Sequence, residues 1–280
     1  MLIDWHTNLN LDSHYTDAAG ASEFNARVAS GVSADPASHE RLVAGVAEKF
    51  AVITMRFDRL KIRVPNEFVA EYVHRFPGRA KGFACVDPLD PNALKDLEFA
   101  IRELGLHGLK ISPVYGGFDP WCHEAWRIYD LCDRLRIPLL WHQSAAYASE
   151  ATLEHGNPIL LDKIGRAFPK LRMIVAHLGQ PWMGETVVLL RKHPQILADL
   201  SARFHRKWQL YNGLMLALDY KVTKQILFGS DFPVRTTEQA LAEFRGLNDW
   251  GEGARMPVFP PEIIEDIINN RPFELLWPEG

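Results

Sequence analysis

Short apolar runs alternate with longer segments of helical period along this chain. In order, the runs are LIDWH at 2–6, FAVITMRF at 50–57, KGFACVD at 81–87, GLKIS at 108–112, IPLLWH at 137–142, RMIVAH at 172–177, ILADLS at 196–201 and QILFGSD at 225–231. They are apolar nearly throughout, as expected for parallel strands covered on both faces. Eight such units in one chain predict an α/β fold, a single (β/α)8 TIM barrel.

The segments between the runs predict the barrel's helices. PNALKDLEFAIRELG at 91–105 carries one apolar stripe and ends on Gly105, a plausible helix end. HEAWRIYDLCDRLR at 123–136 repeats the pattern, and the Gly- and Pro-rich segment 251–261 predicts a loop before a closing C-terminal helix, IIEDIINN. Because no Gly/Ser-rich linker interrupts the chain, we expect one domain over residues 1–280.

Composition narrows the classes of partner. The chain has 280 residues, 47% hydrophobic and 24% charged, and a net charge of -4, so neither nucleic acid nor an anionic membrane is indicated. No apolar run approaches the ~18 residues of a membrane helix, and no export signal is visible. Three cysteines without a CxxC pair argue against a disulfide framework. We expect a cytoplasmic protein with a small-molecule partner, for which a homo-oligomer is possible.

Polar residues end these apolar runs. They are, in order, His6, Arg56, Asp87, Lys110 with Ser112, His142, His177, Asp199 with Ser201, and Asp231. In a TIM barrel the catalytic groups come from the C-terminal ends of the strands and the loops that follow. The distribution therefore predicts a site at that end of the barrel.

Three of the 11 histidines follow apolar runs directly: His6, His142 and His177. The others are interpreted as packed or solvated: His14, His39, His74, His107, His123, His155, His193 and His205. Asp231 could cap a helix, but the next helix is expected to begin near Thr236 or Thr237. A site residue is therefore the favoured interpretation of Asp231.

Imidazole and carboxylate are ligands that a catalytic zinc ion accepts, with one position left for water or substrate. His6, His142 and Asp231 supply that mixture from the first, fifth and eighth strands, and the first and eighth are neighbours in a closed barrel. His177, from the sixth, would lie beside the ion, where it could hold a substrate oxygen or move a proton.

Several stretches resemble the amidohydrolase superfamily, specifically the amidohydrolase-2 group related to aminocarboxymuconate-semialdehyde decarboxylase, γ-resorcylate decarboxylase and the lactonase of 2-pyrone-4,6-dicarboxylate. They are IDWHTN at 3–8, GLKISP at 108–113, IPLLWHQS at 137–144, IVAHLGQPW at 174–182 and ILFGSDFPV at 226–234. The resemblance covers nearly the whole chain. It implies metal binding by His6, His142 and Asp231, a catalytic role for His177, and acid–base work by Asp231.

The chain departs from this group at Asn8, where the first strand of the group carries the second histidine of an HxH pair. Asn8 could be an oxygen ligand, it could orient a ligand, or the divalent metal, expected to be zinc, could be absent. The lactonase branch works without a metal. Lys110 stands where other branches carry a metal-bridging lysine, but a plain hydrogen-bond donor is favoured here.

Four cations after the strands could line the mouth as anion donors: Arg56, Lys110, Arg203 and Arg235. Solvated or helix-capping charges are the alternative, weighed evenly for Arg203 and Arg235. Aromatic residues near the same strand ends suit a planar or cyclic compound, with Trp182 as a substrate-binding candidate: Trp5, Phe57, Tyr115, Phe118, Trp141, Trp182 and Phe232.

The leading hypothesis is a metal-dependent hydrolase acting on an amide- or lactone-type bond of a small carboxylated compound, with Asp231 taking a proton from water activated by the metal. The alternatives are non-oxidative decarboxylation of an aromatic or unsaturated acid at the same site, a metal-free lactonase, and a barrel that binds a ligand without turnover.

Overall fold

The computed structural model describes residues 1–16, 31–249 and 255–278. Eight parallel strands form one sheet: β1 (Ile3–Asn8), β2 (Lys49–Ile53), β3 (Ala80–Cys85), β4 (Gly108–Ile111), β5 (Leu139–Trp141), β6 (Met173–Val175), β7 (Ile196–Asp199) and β8 (Ile226–Leu227). Each strand pairs with the next along the chain. The predicted (β/α)8 architecture is confirmed.

The first and last strands meet at a seam that closes the barrel. The backbone N–H of Trp5 donates to the Phe228 carbonyl over 3.0 Å, and that of Asp231 donates to the His6 carbonyl over 2.8 Å. Thr7 and Phe232 form a parallel bridge beyond them. The chain segments that carry His6 and Asp231 are therefore neighbours.

Helices surround the sheet. The main ones are Asn66–His74, Ala93–Arg102, His123–Leu135, Leu161–Ala167, Met183–Lys192, Lys207–Asp219, Thr237–Arg245 and Pro261–Asn269, with short turns at Pro36–His39 and Pro113–Gly116. Thr236 caps the seventh of these helices through a capping box with Gln239, in agreement with the helix start predicted near Thr236 or Thr237. Among the described residues, no helix is both long and apolar enough to cross a bilayer.

The bottom of the barrel is closed by the chain's C-terminal segment. Trp277 stacks on Trp5 with ring centroids 6.1 Å apart, and Phe273 packs edge-on against Trp5 at 5.1 Å. These rings join an apolar cluster with residues from the lower parts of the strands. Access to the barrel is therefore at the other end, where the strands end. The segment 251–261, predicted to be a loop, lies partly outside the described residues.

The second run was predicted to form one strand from 50 to 57. Instead β2 ends at Ile53, and Arg56–Phe57 pairs with Ile62–Arg63 in a separate antiparallel hairpin. The backbone N–H of Val64 donates to the Met55 carbonyl over 2.8 Å, which continues this hairpin. The hairpin forms part of the rim of the barrel mouth.

Candidate metal centre and substrate cavity

A cavity opens at the C-terminal ends of the strands. Residues from six barrel strands and the loops after them line it: His6, Asn8, Asn10, Tyr15, Met55, Phe57, Lys110, Tyr115, His142, His177, Asp231, Pro233 and Val234. The polar and charged groups thus share their space with an apolar and aromatic wall. Such a mixture is typical of small-molecule sites.

His6, at the end of β1, is oriented by Asp199, at the end of β7. Its Nδ1 lies 2.9 Å from the Asp199 Oδ2, and both side chains are buried. Burial opposes ionisation of Asp199, but its electrostatic interaction with His6 and hydrogen bonds from His6 and Ser201 keep the pKa of this carboxyl below its usual value. An ionised carboxylate only accepts, so Nδ1 of His6 carries the hydrogen and Nε2 presents a lone pair.

His177 follows β6 in a left-handed backbone conformation, with φ 60° and ψ 29°. Its backbone N–H donates to Asp199 over 3.1 Å, which holds this turn in place. Its Nδ1 lies 2.7 Å from the Ser201 hydroxyl and 3.1 Å from the Ser201 carbonyl. Because a carbonyl can only accept, Nδ1 of His177 also carries the hydrogen, and its Nε2 also presents a lone pair.

Asp231 completes the cluster. The candidate ligand atoms of His6, His177 and Asp231 all lie within 4.8 Å of one another. His6 Nε2 is 3.5 Å from Asp231 Oδ1, too far for a good hydrogen bond. Two imidazole lone pairs and a carboxylate therefore face one point with no proton between them. This donor set fits a divalent cation such as zinc or manganese.

Asn8 binds Asp231 through its amide nitrogen. The nitrogen donates to Asp231 Oδ1 and to the Phe232 carbonyl, both over 2.9 Å. Since both partners are acceptors, the nitrogen must be the atom that faces them. Of the three possibilities considered for Asn8, this geometry matches a residue that orients the ligand Asp231.

His142 lines the same cavity but is not part of the converging set. Its Nε2 lies 3.2 Å from the Ser144 hydroxyl, and its ring is 5.0 Å from that of His177. Burial and the charge of Lys110 keep the pKa of His142 well below its usual value, so it is neutral. The sequence analysis had placed His142 among the ligands and His177 beside them. The structure brings His177 to the cluster instead, where its bonds to Asp199 and Ser201 hold it.

Lys110, on β4, is a buried ammonium on the cavity wall, only 3% exposed. No described residue gives it a hydrogen bond or an ion pair within 4 Å. Burial lowers its pKa to about 8, while Asp199 and Asp231 act in the opposite direction. Since buried charges in proteins are normally paired, this cation is a candidate partner for an anionic ligand.

Arg203 lies close behind the cluster but not on the cavity wall. It is 5% exposed, donates to Gln209 over 3.1 Å, and its Nε has no partner among the described residues. Its charge contributes to the lowered pKa of both His142 and His177. It thus adds positive potential to the same site.

Arg56, Arg235 and Trp182 are not among the residues that line this cavity. Arg56 pairs with Asp58 and Asp90, and Arg235 pairs with Glu243 at 3.0 Å. Trp182 begins the helix Met183–Lys192 as its N-cap. Of the predicted substrate-binding residues, Lys110 does line this cavity. Both arginines form ion pairs with nearby carboxylates instead.

Of the seven aromatic candidates, only Phe57 and Tyr115 line the cavity.

Asp199, Ser201 and Tyr15 were not among the predicted site residues. Asp199 and Ser201 do end the seventh apolar run, a signal that could have identified them. The Ser201 hydroxyl contacts Asp199, His177 and His6, so it joins both imidazoles to one carboxylate. Tyr15 lies in a loop without any periodic pattern, and the sequence offers no comparable signal for it.

Comparison with known proteins agrees with this geometry. Residues 3–268 match the family model described as Amidohydrolase, of the amidohydrolase-2 type. A γ-resorcylate decarboxylase of Polaromonas sp. (strain JS666) is 25% identical over 148 residues, which are 42% of this chain and 44% of the relative. The match therefore spans less than half the length of that curated relative.

Solved structures share the fold at low sequence identity. An uncharacterised TIM-barrel protein from Bordetella bronchiseptica has a TM-score of 0.71 at 16% identity, covering 99% of this chain and 98% of its own. A probable 2-pyrone-4,6-dicarboxylic acid hydrolase from Acinetobacter baumannii, with citric acid bound, has 0.65 at 15%, covering 99% of each. A dihydroxybenzoic acid decarboxylase from Polaromonas sp. JS666, with manganese and 2-nitroresorcinol bound, has 0.64 at 17%, covering 100% of this chain and 97% of its own. The fold, the strand-end cluster and the family match over residues 3–268 lead to one conclusion: this chain is an enzyme of the amidohydrolase-2 family.

Proposed function

We propose that this enzyme catalyses the non-oxidative decarboxylation of a small aromatic or unsaturated carboxylic acid. The observation that carries the proposal is the unpaired, buried Lys110 on the cavity wall, within electrostatic range of Asp231. A carboxylate held by Lys110 would lie beside the acid–base group. In a decarboxylase this carboxylate is itself the reacting group, whereas a hydrolase must bring the scissile bond to that place. Hydrolysis is the leading hypothesis from the sequence, and the position of Lys110 supports decarboxylation as the first candidate here.

The chain's own residues would divide the work as follows. Lys110 orients the substrate carboxylate, and the aromatic wall of Phe57 and Tyr115 excludes water from it. The bond between the ring carbon and the carboxylate breaks and releases carbon dioxide. Burial raises the pKa of Asp231, which favours its uptake of a proton from solvent. Asp231 gives this proton to that carbon, so one carboxylate and one proton become carbon dioxide and the shortened product.

His6, His177 and Asp231 would hold a divalent metal ion, with Asn8 and Asp199 orienting these ligands. When bound, the ion neutralises negative charge on the substrate oxygens. The bound manganese of the Polaromonas decarboxylase supports a divalent ion in this family, and zinc remains the ion expected from the donor set.

Hydrolysis of a lactone, with or without a metal, is the second candidate. The Acinetobacter hydrolase has the same fold, and Asn8 replaces one histidine of the expected metal-binding pair. A hydrolase would use the same cavity, with Asp231 removing a proton from the attacking water.

Carbon dioxide release separates the two candidates. Purified protein loaded with manganese or zinc is incubated with γ-resorcylate, other hydroxybenzoates and 2-pyrone-4,6-dicarboxylate. We expect carbon dioxide and the decarboxylated product from at least one aromatic acid, and loss of this activity in Asp231→Asn and His177→Ala variants that keep the wild-type circular dichroism spectrum. Ring opening of the pyrone without carbon dioxide release would favour the hydrolase. Metal analysis by mass spectrometry, together with activity after chelation, tests the metal requirement.

A further inference from the structure

Tyr15 belongs to the loop after β1 and is fixed at the rim of the cavity. Its backbone forms an antiparallel bridge with Ile62 of the hairpin, and its N–H donates to the Asp12 carbonyl over 3.2 Å. The next residue, Thr16, donates from its backbone to the Lys61 carbonyl over 3.0 Å. The position of the Tyr15 ring is thus set by backbone pairing as well as by packing in the apolar core.

The hydroxyl of Tyr15 is buried and has no hydrogen-bond partner among the described residues. The residue is 7% exposed and lines the same cavity as Lys110 and Asp231. Other buried tyrosines have partners: Tyr72 binds His39 at 2.9 Å, and Tyr129 donates to the Pro120 carbonyl over 3.0 Å. A buried hydroxyl without a hydrogen-bond partner lowers the free energy of unfolding by about 1–3 kcal/mol. The Tyr15 hydroxyl therefore destabilises the fold and makes no compensating hydrogen bond within it.

The hydroxyl remains a neutral donor at physiological pH. Burial, and to a smaller extent Asp12, raise the pKa of Tyr15 to about 12. Tyr15 pairs with the hairpin at the rim, whereas Lys110 belongs to the barrel strand β4. The Tyr15 ring therefore reaches the cavity from its rim, where Met55, Phe57 and Val234 supply apolar wall.

We infer that the Tyr15 hydroxyl is a specificity determinant, which donates a hydrogen bond to an uncharged oxygen substituent at the end of the substrate remote from the carboxylate. The inference rests on the proposed function, in which Lys110 holds that carboxylate. It narrows the substrate class from small carboxylic acids to those that carry a second, distal oxygen, such as a hydroxyl or methoxy group.

Paired ligands test this inference by binding rather than turnover. Calorimetry would measure the affinities of benzoate, 3-hydroxybenzoate and 4-hydroxybenzoate for wild-type and Tyr15→Phe protein, each loaded with the same metal ion. We expect the variant to bind at least one hydroxylated acid about fivefold to tenfold more weakly and benzoate as well as wild type does. No difference between the hydroxylated acids and benzoate, including no binding of any of them, would overturn the inference.

Thermal unfolding of the ligand-free protein gives an independent test. Tyr15→Phe removes an unpaired hydroxyl, so we expect an unchanged or higher Tm, whereas Tyr129→Phe breaks a hydrogen bond and should lower it. A lower Tm for Tyr15→Phe would mean that the hydroxyl serves the fold, contrary to the inference. The Lys110→Met variant separates the two proposals: if it binds benzoate as wild type does, the carboxylate site is wrong, whatever Tyr15 does.

Discussion

The Asn8 side chain donates a hydrogen bond to Asp231 over 2.9 Å, from the position where the family pattern has a histidine. The same carboxylate oxygen lies 3.5 Å from His6 Nε2. Asn8 thus orients the Asp231 carboxylate within the cluster.

Replacing Asn8 should therefore weaken the site without unfolding the chain. We expect Asn8→Ala to lower metal affinity and kcat/KM by roughly ten- to a hundredfold, because Asp231 loses its orienting donor. Asn8→His should tighten zinc binding if the imidazole reaches the ion. Asn10→Ala is the matched control, since Asn10 lines the same cavity and has no side-chain bond to the cluster. Equal effects of both alanine variants would contradict this role.

Asp199→Asn should reverse the tautomer of His6. The Asp199 Oδ1 accepts from the backbone N–H groups of His177 and Ser201, so an asparagine would keep its oxygen there and turn its NH2 toward His6. Nδ1 of His6 would then accept, and Nε2 would carry the hydrogen toward the cluster. We expect metal affinity to fall at least tenfold, measured by competition with a chelator. Ser144→Ala, which touches only His142, should leave it unchanged, and a similar loss in both would disprove the tautomer argument.

Lys110→Met should stabilise the ligand-free protein while abolishing binding of the carboxylate. Burial lowers the pKa of Lys110 from 10.5 to about 8 in the folded state. Protonated Lys110 therefore destabilises the fold at all pH values below about 8, by an amount on the order of 2 kcal/mol. Because the unfolded chain keeps this proton up to pH 10.5, the penalty fades as the pH rises from 8 to 10.5. Denaturant titrations of both proteins should show a smaller difference in the free energy of unfolding at pH 10 than at pH 7. An equal difference at the two pH values would contradict the attribution to protonated Lys110.

Arg271 should matter for stability and not for chemistry. This guanidinium is 6% exposed and donates to the carbonyls of Ile226 and Thr223 and to Asp266, at the bottom of the barrel. Arg271→Ala leaves those acceptors unpaired, so we expect the free energy of unfolding to fall by about 3 kcal/mol. At temperatures below thermal unfolding, kcat/KM should be unchanged. Arg245→Ala removes an exposed pair with Glu265 and should cost less than about 1 kcal/mol. A large loss of kcat/KM in Arg271→Ala would show that the bottom of the barrel also controls the site.

The sequence was sufficient for the barrel and for most of the cluster. Buried parallel strands must be apolar throughout, so the polar residue that ends each run, such as His177 or Asp231, stands out. The role of Arg56 could not be predicted in this way, because its partner Asp90 comes from a loop after the next barrel strand. Nor could the exchange between His142 and His177, which depends on the left-handed turn at His177 that Asp199 and Ser201 hold in place. Asn8 was recognised as a departure, but the direction of its amide is a property of the folded site.

The seam between β1 and β8 joins residues far apart in the sequence: Asn8 and Asp231 are separated by 223 positions. None of the local βα units can assemble the ligand cluster alone, and loop-closure entropy makes such distant pairings slow to form. The proposed metal site should therefore form late in folding. A partly folded barrel would lack the site, and an ion bound there would hold the last strand against the first.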